Sequence, residues 1–390
     1  MRVLVVGGGA REHALAWRLR EDGATVLAAP GSDAMATLAE RVPLTDPKDI
    51  ASWADQGRLD LVVIGPEAPL AAGLADRLRQ RRIPVVGPNQ AAARIESSKT
   101  WSRAFCRHHG IPGPRFGVAK ELPKDLPVPC VVKTDGLAAG KGVVVVREEG
   151  DLARARALAG PYIIEELLEG KELSVFALCD GRGFSLIGDA RDYKRLLAGD
   201  DGPNTGGMGA FSPVGEADLR QIADTVIAPA VDGMAAEGCP FVGFLYAGLM
   251  LTAEGPKVLE FNARFGDPEA QVVIPRWKAP FAEMLVAAAH GALGGATVEM
   301  SAEHAVGIVL ASPGYPDDPQ PGQRLPELPE DGLIFHAATV RRPDGWYTAG
   351  GRVLTAVGLG PSRDEARARA SALAERCRFA RAQWREDVAR

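Results

Sequence analysis

Two oxygen-bearing side chains with strand spacing are the first candidates for chemistry in this sequence. Glu260 and Asn262 alternate with the apolar Leu259 and Phe261, so a strand would direct the two polar side chains to one face and the apolar ones to the other. A carboxylate and an amide oxygen on a rigid strand suit a hard cation such as Mg²⁺, which often takes phosphate oxygens as further ligands. A pattern this short also fits the solvated face of a half-buried strand, so the remaining sequence has to decide.

A second cluster of candidates lies upstream, in a glycine-rich stretch between two apolar runs. Residues 129–133 end in Lys133, residues 135–142 read DGLAAGKG and contain Lys141, and residues 143–146 are all valine. A Walker phosphate loop would be one residue longer and would lead into a helix, whereas this stretch leads into a strand. The pattern predicts a flap whose backbone N–H groups and lysines face phosphates. A flexible hairpin with solvated lysines is the alternative.

Two further stretches are compatible with a nucleotide site. Strands are predicted at 162–168 and from residue 172 onward, and the acidic bend in the first could receive an adenine through backbone groups. Glu172 would then be available for ribose hydroxyls. The loop at 202–209 reads GPNTGGMG, and so many glycines imply a close approach of the backbone to a ligand.

The first residues have the order strand, glycine turn and helix. An apolar run at 2–6 precedes three glycines, and a helical pattern follows at 11–20, which is how a parallel α/β domain begins. A dinucleotide site is the rival interpretation, but Glu12 replaces the third glycine of that motif, and the second strand ends at 28–30 without an acid for the ribose. The helix start could still hold a phosphate through its backbone N–H groups. We interpret His13 as a local packing or solvent contact.

Periodicity predicts the remaining elements. The predicted helices include residues 99–109, 216–237, 280–290 and 363–387, and the predicted strands include residues 25–29, 59–64, 83–86, 241–251, 305–311, 333–340 and 352–357. We interpret the last helix, rich in alanine and arginine, as a solvated amphipathic helix. Prolines punctuate residues 313–330, where the composition changes.

Composition places the chain among ordinary globular proteins. Its 390 residues suffice for two or three domains, and its 46% hydrophobic and 24% charged residues are typical of a folded protein. A formal net charge of -5 argues against a broad surface for nucleic acid or for an anionic membrane. We find no signal peptide and no apolar run that could span a membrane. Five scattered cysteines without a C-x-x-C pair predict a reducing, cytoplasmic location.

Seven motifs, taken in order, resemble a known enzyme family. They read GGGAREHAL, GPEAPL, DGLAAGKGV, GPNTGGMGAFSP, GFLYAGLM, EFNARFGDPEAQ and GGRVL, and the match extends from residue 3 to residue 354. Together with the flap lysines and the acidic bend, they resemble the ATP-grasp ligases and, more narrowly, the phosphoribosylamine-glycine ligases of purine biosynthesis. The segments RFGDPEAQ and GPNTGGMGA are the most specific of these motifs.

The resemblance implies an α/β fold and an activity. It implies an N-terminal parallel-sheet domain at 1–95, a central ATP-grasp fold of α+β type at 96–298 with two subdomains and a flap around 115–180, and a small C-terminal α/β domain at 299–390. The implied reaction ligates glycine to 5-phosphoribosylamine with ATP, through glycyl phosphate, giving glycinamide ribonucleotide, ADP and phosphate. The cofactor would be Mg²⁺ or Mn²⁺, and we expect a monomer with this single activity. Such a transfer needs alignment and charge neutralisation more than a covalent nucleophile.

The resemblance also implies roles for individual residues. The ATP site would contain Lys99, Lys133, Gly140, Lys141 and Gly142 at the phosphates, Glu165 and Leu168 at the adenine, and Glu172 at the ribose. Glu260 and Asn262 would hold the metal, and Arg264 and Asp267 would orient the reacting glycine. The phosphoribosylamine pocket would be lined by Gly9, Glu67, Lys194, Asn204, Thr205, Gly206 and Gly207.

The sequence departs from the family pattern without losing a candidate ligand. Five positions carry residues that are unusual for the family: Gly8, Ala10, Ser97, Thr134 and Ala263. The segment 147–161 is shorter than usual. Two alternatives remain open, namely another ATP-grasp ligase that uses a different acid and a nucleotide-binding module without catalysis. The retained lysines and metal-binding pair argue against the second alternative.

Overall fold

A computed structural model describes residues 1–137, 142–278 and 280–390 of the chain. The strands are β1 (Arg2–Gly7), β2 (Thr25–Pro30), β3 (Glu40–Arg41), β4 (Leu61–Ile64), β5 (Val85–Val86), β6 (Phe116–Ala119), β7 (Cys130–Thr134), β8 (Val143–Val146), β9 (Tyr162–Glu166), β10 (Lys171–Asp180), β11 (Phe184–Asp192), β12 (Arg195–Leu197), β13 (Asp201–Asn204), β14 (Gly209–Ser212), β15 (Val242–Thr252), β16 (Gly255–Asn262), β17 (His304–Ala311), β18 (Leu333–His336), β19 (Thr339–Arg342), β20 (Gly345–Thr348) and β21 (Arg352–Gly360).

The α-helices are α1 (Ala10–Glu21), α2 (Pro47–Gln56), α3 (Glu67–Ala71), α4 (Leu74–Gln80), α5 (Arg94–Ser97), α6 (Lys99–His108), α7 (Leu152–Arg156), α8 (Leu219–Ile222), α9 (Ala228–Ala236), α10 (Ala270–Val273), α11 (Phe281–Ala289) and α12 (Arg363–Arg376). Short 3₁₀-helices lie at Met35–Thr37, Glu149–Asp151 and Ile274–Arg276, and a π-helix lies at Ala223–Ile227. None of the helices in the described ranges is long and apolar enough to cross a bilayer.

The N-terminal part of the chain forms a five-stranded parallel sheet with the order β3-β2-β1-β4-β5. Its central strand β1 is buried on both faces, because Leu4 and Val6 pack into one core cluster while Val3 and Val5 pack into another. Burial on both faces is typical of parallel sheets and requires an unbroken apolar run. The predicted parallel α/β beginning is confirmed.

A four-stranded antiparallel sheet, with the order β6-β9-β7-β8, carries two of the candidate residues. Strand β7 contains Lys133 and strand β9 contains Glu165. The predicted phosphate contacts Gly140 and Lys141 lie outside the described residues. Gly142 directly precedes β8, and its carbonyl accepts a hydrogen bond from the Thr134 N–H at 2.8 Å.

The largest element is an eight-stranded antiparallel sheet with the order β16-β15-β10-β11-β14-β17-β21-β18. Five of its strands, β10, β11, β14, β15 and β16, come from residues 171–262, and the other three come from residues 304–360. The predicted boundary at 299 therefore falls between strands of one continuous sheet. Strand β16 forms an edge of this sheet, and that edge carries Glu260 and Asn262.

A β-bulge in β16 changes the predicted alternation. The pairing with β15 skips Leu259, which is the extra residue of the bulge. Val258 and Phe261 consequently share one core cluster, and the prediction that Leu259 shares a face with Phe261 is wrong. The carbonyl of Leu259 points out of the ladder and accepts a hydrogen bond from Lys133 Nζ at 3.0 Å.

The predicted helix at 216–237 is interrupted. Helices α8 and α9 flank the π-helix Ala223–Ile227. Pro229 lacks the N–H that a continuous α-helix would donate to the carbonyl of Thr225. The wider π-helical turn ends at Ile227, two residues before this proline. A single proline is therefore enough to explain why the predicted helix is divided.

Two predictions for the last hundred residues are also corrected. The predicted strand at 333–340 consists of two strands, β18 and β19, because the chain bends at Ala337 and Ala338, whose N–H groups donate to carbonyls at the start of β21. The predicted helix at 363–387 ends at Arg376. Beyond it, Phe379 and Val388 are buried in the core that β17, β21 and α12 share, and a straight continuation of the helix would leave that core.

A buried histidine pair joins α1 to β18. The His336 N–H donates to Nδ1 of His13 at 2.9 Å, and the two ring centroids lie 5.5 Å apart. Burial, together with the charge of His336, lowers the pKa of His13 to about 3. Burial lowers the pKa of His336 to about 4. His13 is thus a packing residue, as interpreted, and it packs across two parts of the chain that are far apart in sequence.

From the lowered pKa values of His13 and His336 we predict that the folded protein loses stability in acid. Both imidazoles stay neutral in the folded protein below their usual pKa of 6.5, so the unfolded chain binds more protons between pH 6.5 and about 4. Stability is therefore complete above pH 6.5 and falls as the pH drops through this range. We expect His13→Asn, which keeps an acceptor for the His336 N–H, to make the thermal unfolding midpoint fall less steeply between pH 6.5 and 4.5. An unchanged slope, equal to that of the exposed-site control His290→Asn, would contradict the assignment.

Candidate active site

Glu260 lies near four positively charged side chains. It is half-buried on β16, and burial by itself would raise the pKa of its carboxyl group. The charges of Lys194, Lys133, Arg264 and Lys99 outweigh that effect, and the pKa of Glu260 is lowered. The carboxylate is consequently ionised, as a metal ligand must be.

Asn262 presents its amide oxygen on the side away from Glu96. Its amide is best oriented with the nitrogen donating to Glu96 Oε1 at 3.1 Å. The second oxygen of Glu96 accepts the N–H of Ala263 at 2.7 Å, so this carboxylate fixes both the end of β16 and the Asn262 side chain. A hard cation prefers this kind of oxygen donor.

Glu260 and Asn262 would be too few to hold a metal ion without ligands from outside the protein. Within the described parts of the chain, no group of three or more His, Cys, Asp or Glu side chains is placed to hold a metal ion. A cation held by Glu260 and Asn262 would take its remaining ligands from phosphates and water, which is the usual arrangement for Mg²⁺ at nucleotides. The residues present therefore fit a divalent cation that arrives with a nucleotide.

A buried ionic cluster connects the edge strand to the four-stranded sheet. The Glu165 carboxylate forms ion pairs with Arg103 and, at 2.8 Å, with Lys133 Nζ, and its side chain is only 2% exposed. Arg103 also donates to the carbonyls of Val258 and Leu259 on β16. Burial raises the pKa of Glu165, but Lys133 and Arg103 lower it below its usual value. Because its carboxylate is engaged in this way, the side chain of Glu165 is not free to contact an adenine.

Lys99 is positioned by the first turn of α6. Ser98 caps this helix by accepting the Trp101 N–H at 3.2 Å, and Asp135 accepts the N–H of Thr100 at 3.2 Å. The Lys99 ammonium donates to the carbonyl of Gly136 at 2.6 Å. The N-cap therefore brings Lys99 to the loop that precedes the second flap lysine.

Arg264 bridges the edge strand and the N-terminal sheet. Its guanidinium lies 3.0 Å from a carboxylate oxygen of Glu96 and 3.6 Å from one of Glu67. Glu67 begins α3, directly after the turn that follows β4. Burial raises the pKa of Glu67, but Arg264 and Arg11 lower it below its usual value. Two predicted site residues from distant parts of the chain, Arg264 and Glu67, are thus brought together.

Asp267 and the glycine loop are joined by an arginine that the sequence analysis left without a role. Arg352 forms an ion pair with Asp267 at 2.9 Å and donates to the Asp267 carbonyl at 2.8 Å and to the Gly206 carbonyl at 2.6 Å. Gly207 has a φ of +110°, and a Cβ atom there would lie 2.4 Å from Pro268. Only glycine allows the loop and the charged turn to come this close.

Lys194 and Glu172, predicted in different pockets, form one ion pair. Lys194 Nζ lies 2.7 Å from Glu172 Oε2. The carbonyl of Lys194 accepts hydrogen bonds from the N–H and the hydroxyl of Thr205, at 2.7 and 2.8 Å. Asn204 ends β13 beside them. The predicted ribose contact and the predicted phosphoribosylamine pocket are therefore adjacent.

Additional carboxyl groups lie around Lys194. Burial raises the pKa of Asp192 to about 8; the charge of Lys194 opposes this shift, while Glu269, Glu172 and Glu260 add to it. Glu269 is almost fully buried. Its Oε1 lies 3.3 Å from the hydroxyl of Ser174, which in turn lies 3.0 Å from the hydroxyl of Tyr246. Asp192 can therefore hold a proton near neutral pH beside the metal-binding pair.

Two predicted residues are placed differently from a simple ligand site. The Gly9 N–H donates to Glu12 Oε2 at 2.8 Å, so a side chain of the protein already accepts the N–H that was expected to hold a phosphate. Glu12 also lies in contact range of Gly7 and Gly65, where a dinucleotide would approach. Leu168 is half-buried in the turn between β9 and β10.

Sequence reasoning missed Glu96, Arg103, Arg352 and Asp192. Arg352 lies in the GGRVL motif and Asp192 directly precedes the Tyr193-Lys194-Arg195 run, so both were within reach of motif comparison. Glu96 and Arg103 gave no signal, since charged residues in a helical pattern are usually solvated. Their partners are supplied only by the fold.

The fold and the site define an ATP-grasp enzyme, a class that uses ATP together with a divalent metal ion. Family models of phosphoribosylglycinamide synthetase match the chain at residues 1–96 for the N domain, 97–270 for the ATP-grasp (A) domain and 305–390 for the C domain. The chain belongs to the phosphoribosylglycinamide synthetase family, whose members are ATP-dependent ligases.

Relatives along the whole chain agree with this assignment. A phosphoribosylamine-glycine ligase of Caulobacter vibrioides is 43% identical over 395 residues, which cover 94% of this chain and 92% of that protein. The Streptomyces coelicolor enzyme of the same name is 44% identical over 411 residues, covering 100% of this chain and 99% of that protein. The crystal structure of the phosphoribosylamine-glycine ligase from Thermotoga maritima superposes with a TM-score of 0.88 at 35% identity, covering 99% of this chain and 100% of that one.

Proposed function

We propose that this enzyme ligates glycine to 5-phosphoribosylamine, converting ATP to ADP and phosphate and forming glycinamide ribonucleotide for purine biosynthesis. The supporting observation is the convergence on one charged turn of residues from all three matched regions. Glu67 reaches Arg264 from the N-terminal sheet, and Arg352 reaches Asp267 from the last sheet strands. Both arginine contacts meet at the RFGDPEAQ segment, beside the metal-binding pair.

The reaction consists of two successive nucleophilic displacement steps. A carboxylate oxygen of glycine attacks the γ-phosphorus of ATP, the bond to the bridging oxygen breaks, and ADP leaves with that electron pair. The amine of phosphoribosylamine then attacks the carbonyl carbon of the resulting glycyl phosphate, inorganic phosphate leaves, and the nitrogen loses a proton. Neither step requires a protein nucleophile, and both gain from fixed positive charge around the transferred group.

The charges around Glu260 match that requirement. Lys99 and Lys133 lie close enough to lower its pKa, and we assign them, with Lys141, to the ATP phosphates. Glu260 and Asn262 would hold Mg²⁺ or Mn²⁺, which would neutralise phosphate charge when bound. The backbone near Glu165 and Leu168 would contact the adenine, and Glu172 would contact the ribose.

The second pocket adjoins the nucleotide site, because Lys194 pairs with Glu172 at 2.7 Å. Arg264 and Asp267 would orient glycine and its acyl phosphate, and the loop from Asn204 to Gly207 with Lys194, Glu67 and the Gly9 turn would surround phosphoribosylamine. Asp192, which holds a proton near neutral pH, lies beside Lys194 in this pocket. We keep the division of the chain at 1–95, 96–298 and 299–390 as a proposal for its functional units.

The substrate assignment is tested by measuring ADP release. We expect ADP release only when glycine, phosphoribosylamine and Mg²⁺ are all present. The reason is that glycyl phosphate should form and react onward only when ATP, the metal ion and both substrates are bound together. A panel of other carboxylic acids under the same conditions should give no ADP. ADP formation that is indifferent to both substrates would contradict the proposal, a response to another acid would favour a different ATP-grasp ligase, and ATP binding without turnover would favour a non-catalytic module.

We also propose a cytoplasmic, monomeric enzyme. Its five cysteines are free and buried, and burial raises the pKa of the Cys179 thiol above its usual range. Unpaired thiols are typical of reducing compartments. Fractionation of the host cell would test the compartment, and light scattering of the purified protein would test the oligomeric state.

A further inference from the structure

The residues that follow α12 pack against the glycine loop instead of extending into solvent. Val388 and Ala389 are fully buried, and Arg385 is 1% exposed. The Cγ2 atom of Val388 lies so close to Gly209 that a Cβ atom there would come within 2.8 Å of it. Gly209 belongs to the GPNTGGMGA motif, and a Cβ atom there would also come within 2.7 Å of the Gly307 carbonyl oxygen on β17, so the fold requires a glycine at this position.

Arg385 is the centre of this packing. Its Nη1 lies 2.8 Å from an oxygen of Asp200 and donates to the Arg195 carbonyl at 3.2 Å. Its Nε and Nη2 donate to Asp387 at 2.8 and 2.6 Å. Asp387 in turn accepts the N–H of Gly199 at 2.9 Å. Arg385 and Asp387 together therefore hold the tip and one strand of the β12–β13 hairpin.

The same segment holds the base of the hairpin through Tyr193. The guanidinium of Arg385 lies 4.8 Å from the centre of the Tyr193 ring, and the Tyr193 hydroxyl accepts the N–H of Ala389 at 2.8 Å. The backbone of Tyr193 is hydrogen-bonded to Met208 and Gly209, the last two residues of the glycine loop. Tyr193 thus links residues 385–389 to the end of the loop opposite the hairpin.

Between these two attachment points lie the proposed contacts to phosphoribosylamine. Lys194 follows Tyr193 directly, and Thr205, at the end of the hairpin, donates twice to the Lys194 carbonyl. We propose that Arg385 is a positioning residue for this pocket, because it fixes the hairpin and Tyr193 and thereby the loop at 204–207. We call the contacts of Arg385 and Asp387 with the β12–β13 hairpin and Tyr193 the clamp. The identity of the substrate rests on the proposed function, but the existence of the clamp does not.

The buried guanidinium gives the clamp its strength. An arginine that is removed from water must be matched by hydrogen bonds and opposite charge, and Arg385 has two carboxylates, a carbonyl and an aromatic ring. The hairpin tip is itself exposed, with the Asp200 side chain 73% accessible. An exposed two-stranded hairpin is marginally stable by itself, so its order depends on attachment from outside.

Two variants test the clamp in the full chain. Arg385→Lys keeps the charge but loses the fork that reaches several partners at once. Asp200→Asn removes one exposed charge at a residue with a φ of +55°, a conformation that asparagine tolerates, so it cannot disturb the core. Asp331→Asn is the matched control, because Asp331 also lies 2.8 Å from an arginine, Arg376, and is 74% exposed but does not contact the hairpin.

Hydrogen exchange is the first measurement. We expect both test variants to exchange the amides of residues 195–209 faster than the unmodified protein, with no change in β16 and no change in Asp331→Asn. Unchanged exchange at 195–209 in both test variants would overturn the proposal. Faster exchange throughout the chain in both would also overturn it, because Arg385 would then be a general stabilising residue.

Kinetics supply the second measurement. We expect Arg385→Lys to raise the KM for phosphoribosylamine about tenfold, the loss of charge-assisted hydrogen bonds, while kcat and the KM for ATP stay within about twofold of the unmodified enzyme. Asp200→Asn should change the same constant in the same direction. A parallel change in all constants would overturn the positioning role. If the unmodified enzyme does not use phosphoribosylamine, the proposed function fails, and hydrogen exchange still decides the role of Arg385.

Discussion

Replacing Glu260 by glutamine should reduce ADP formation by about a hundredfold to a thousandfold, the usual effect of removing one group that stabilises charge in a transition state. Glutamine has nearly the same shape, but it lacks the charge that a divalent cation requires from its ligands. The surrounding Lys194, Lys133, Arg264 and Lys99, which lower the pKa of this carboxyl group, would then face a neutral amide at this position. Steady-state rates over a range of Mg²⁺ concentrations measure the effect.

Glu254→Gln provides the control for this variant. Glu254 lies on the turn between β15 and β16, is 76% exposed, and pairs with Lys257 at 2.6 Å. Its substitution should leave the rate and the Mg²⁺ dependence unchanged. Because Glu260 is half-buried among cations, we expect Glu260→Gln to unfold at a similar or slightly lower temperature than the unmodified enzyme. A Glu260→Gln enzyme with full activity would contradict the metal assignment.

Replacing Arg103 by methionine should lower the free energy of unfolding by about 3 to 5 kcal/mol, the usual cost of removing one partner from a buried ion pair. The substitution leaves the Glu165 carboxylate, 2% exposed, with Lys133 as its remaining cation. It also removes the donors to the Val258 and Leu259 carbonyls. Urea denaturation followed by tryptophan fluorescence, which reports through the nearby Trp101, measures the change.

A neighbouring pair separates burial from simple charge pairing. Arg115 pairs with Glu166 at 2.7 Å, one residue along β9 from Glu165, but the Arg115 side chain is 90% exposed. Solvent screens such a pair, so Arg115→Met should leave the urea midpoint unchanged within error. Equal shifts for Arg103→Met and Arg115→Met would contradict the view that the buried cluster anchors β16 to the four-stranded sheet.

Strand periodicity was sufficient to predict that Glu260 and Asn262 share one face of a strand. Glu260 and Asn262 are two residues apart on a strand, and alternation of side chains is a local property of extended backbone. The apolar run of β1 and the helix that begins at Lys99 were equally legible. The bulge at Leu259 was not, because it depends on how β16 pairs with β15, and the sequence of one strand does not specify the register of its partner.

The 363–387 segment shows where local propensity misleads. Alanine and arginine both favour helix, and the prediction extended the helix to residue 387. The observed helix ends at Arg376 because Phe379 and Val388 become buried elsewhere. Burial of apolar surface outweighs the small preference of each residue for helix.

Local pattern therefore determined the parallel N-terminal sheet and the residue types at the candidate nucleotide and metal sites, and the resemblance of the motifs indicated the class of the protein. The tertiary structure alone decided which of them meet. Arg103 reaches a carbonyl 155 positions away, and Arg352 reaches Asp267 across 85 positions. These contacts arise from the order of strands in the sheets, and the packing of residues 377–390 against the glycine loop depends on the same long-range order.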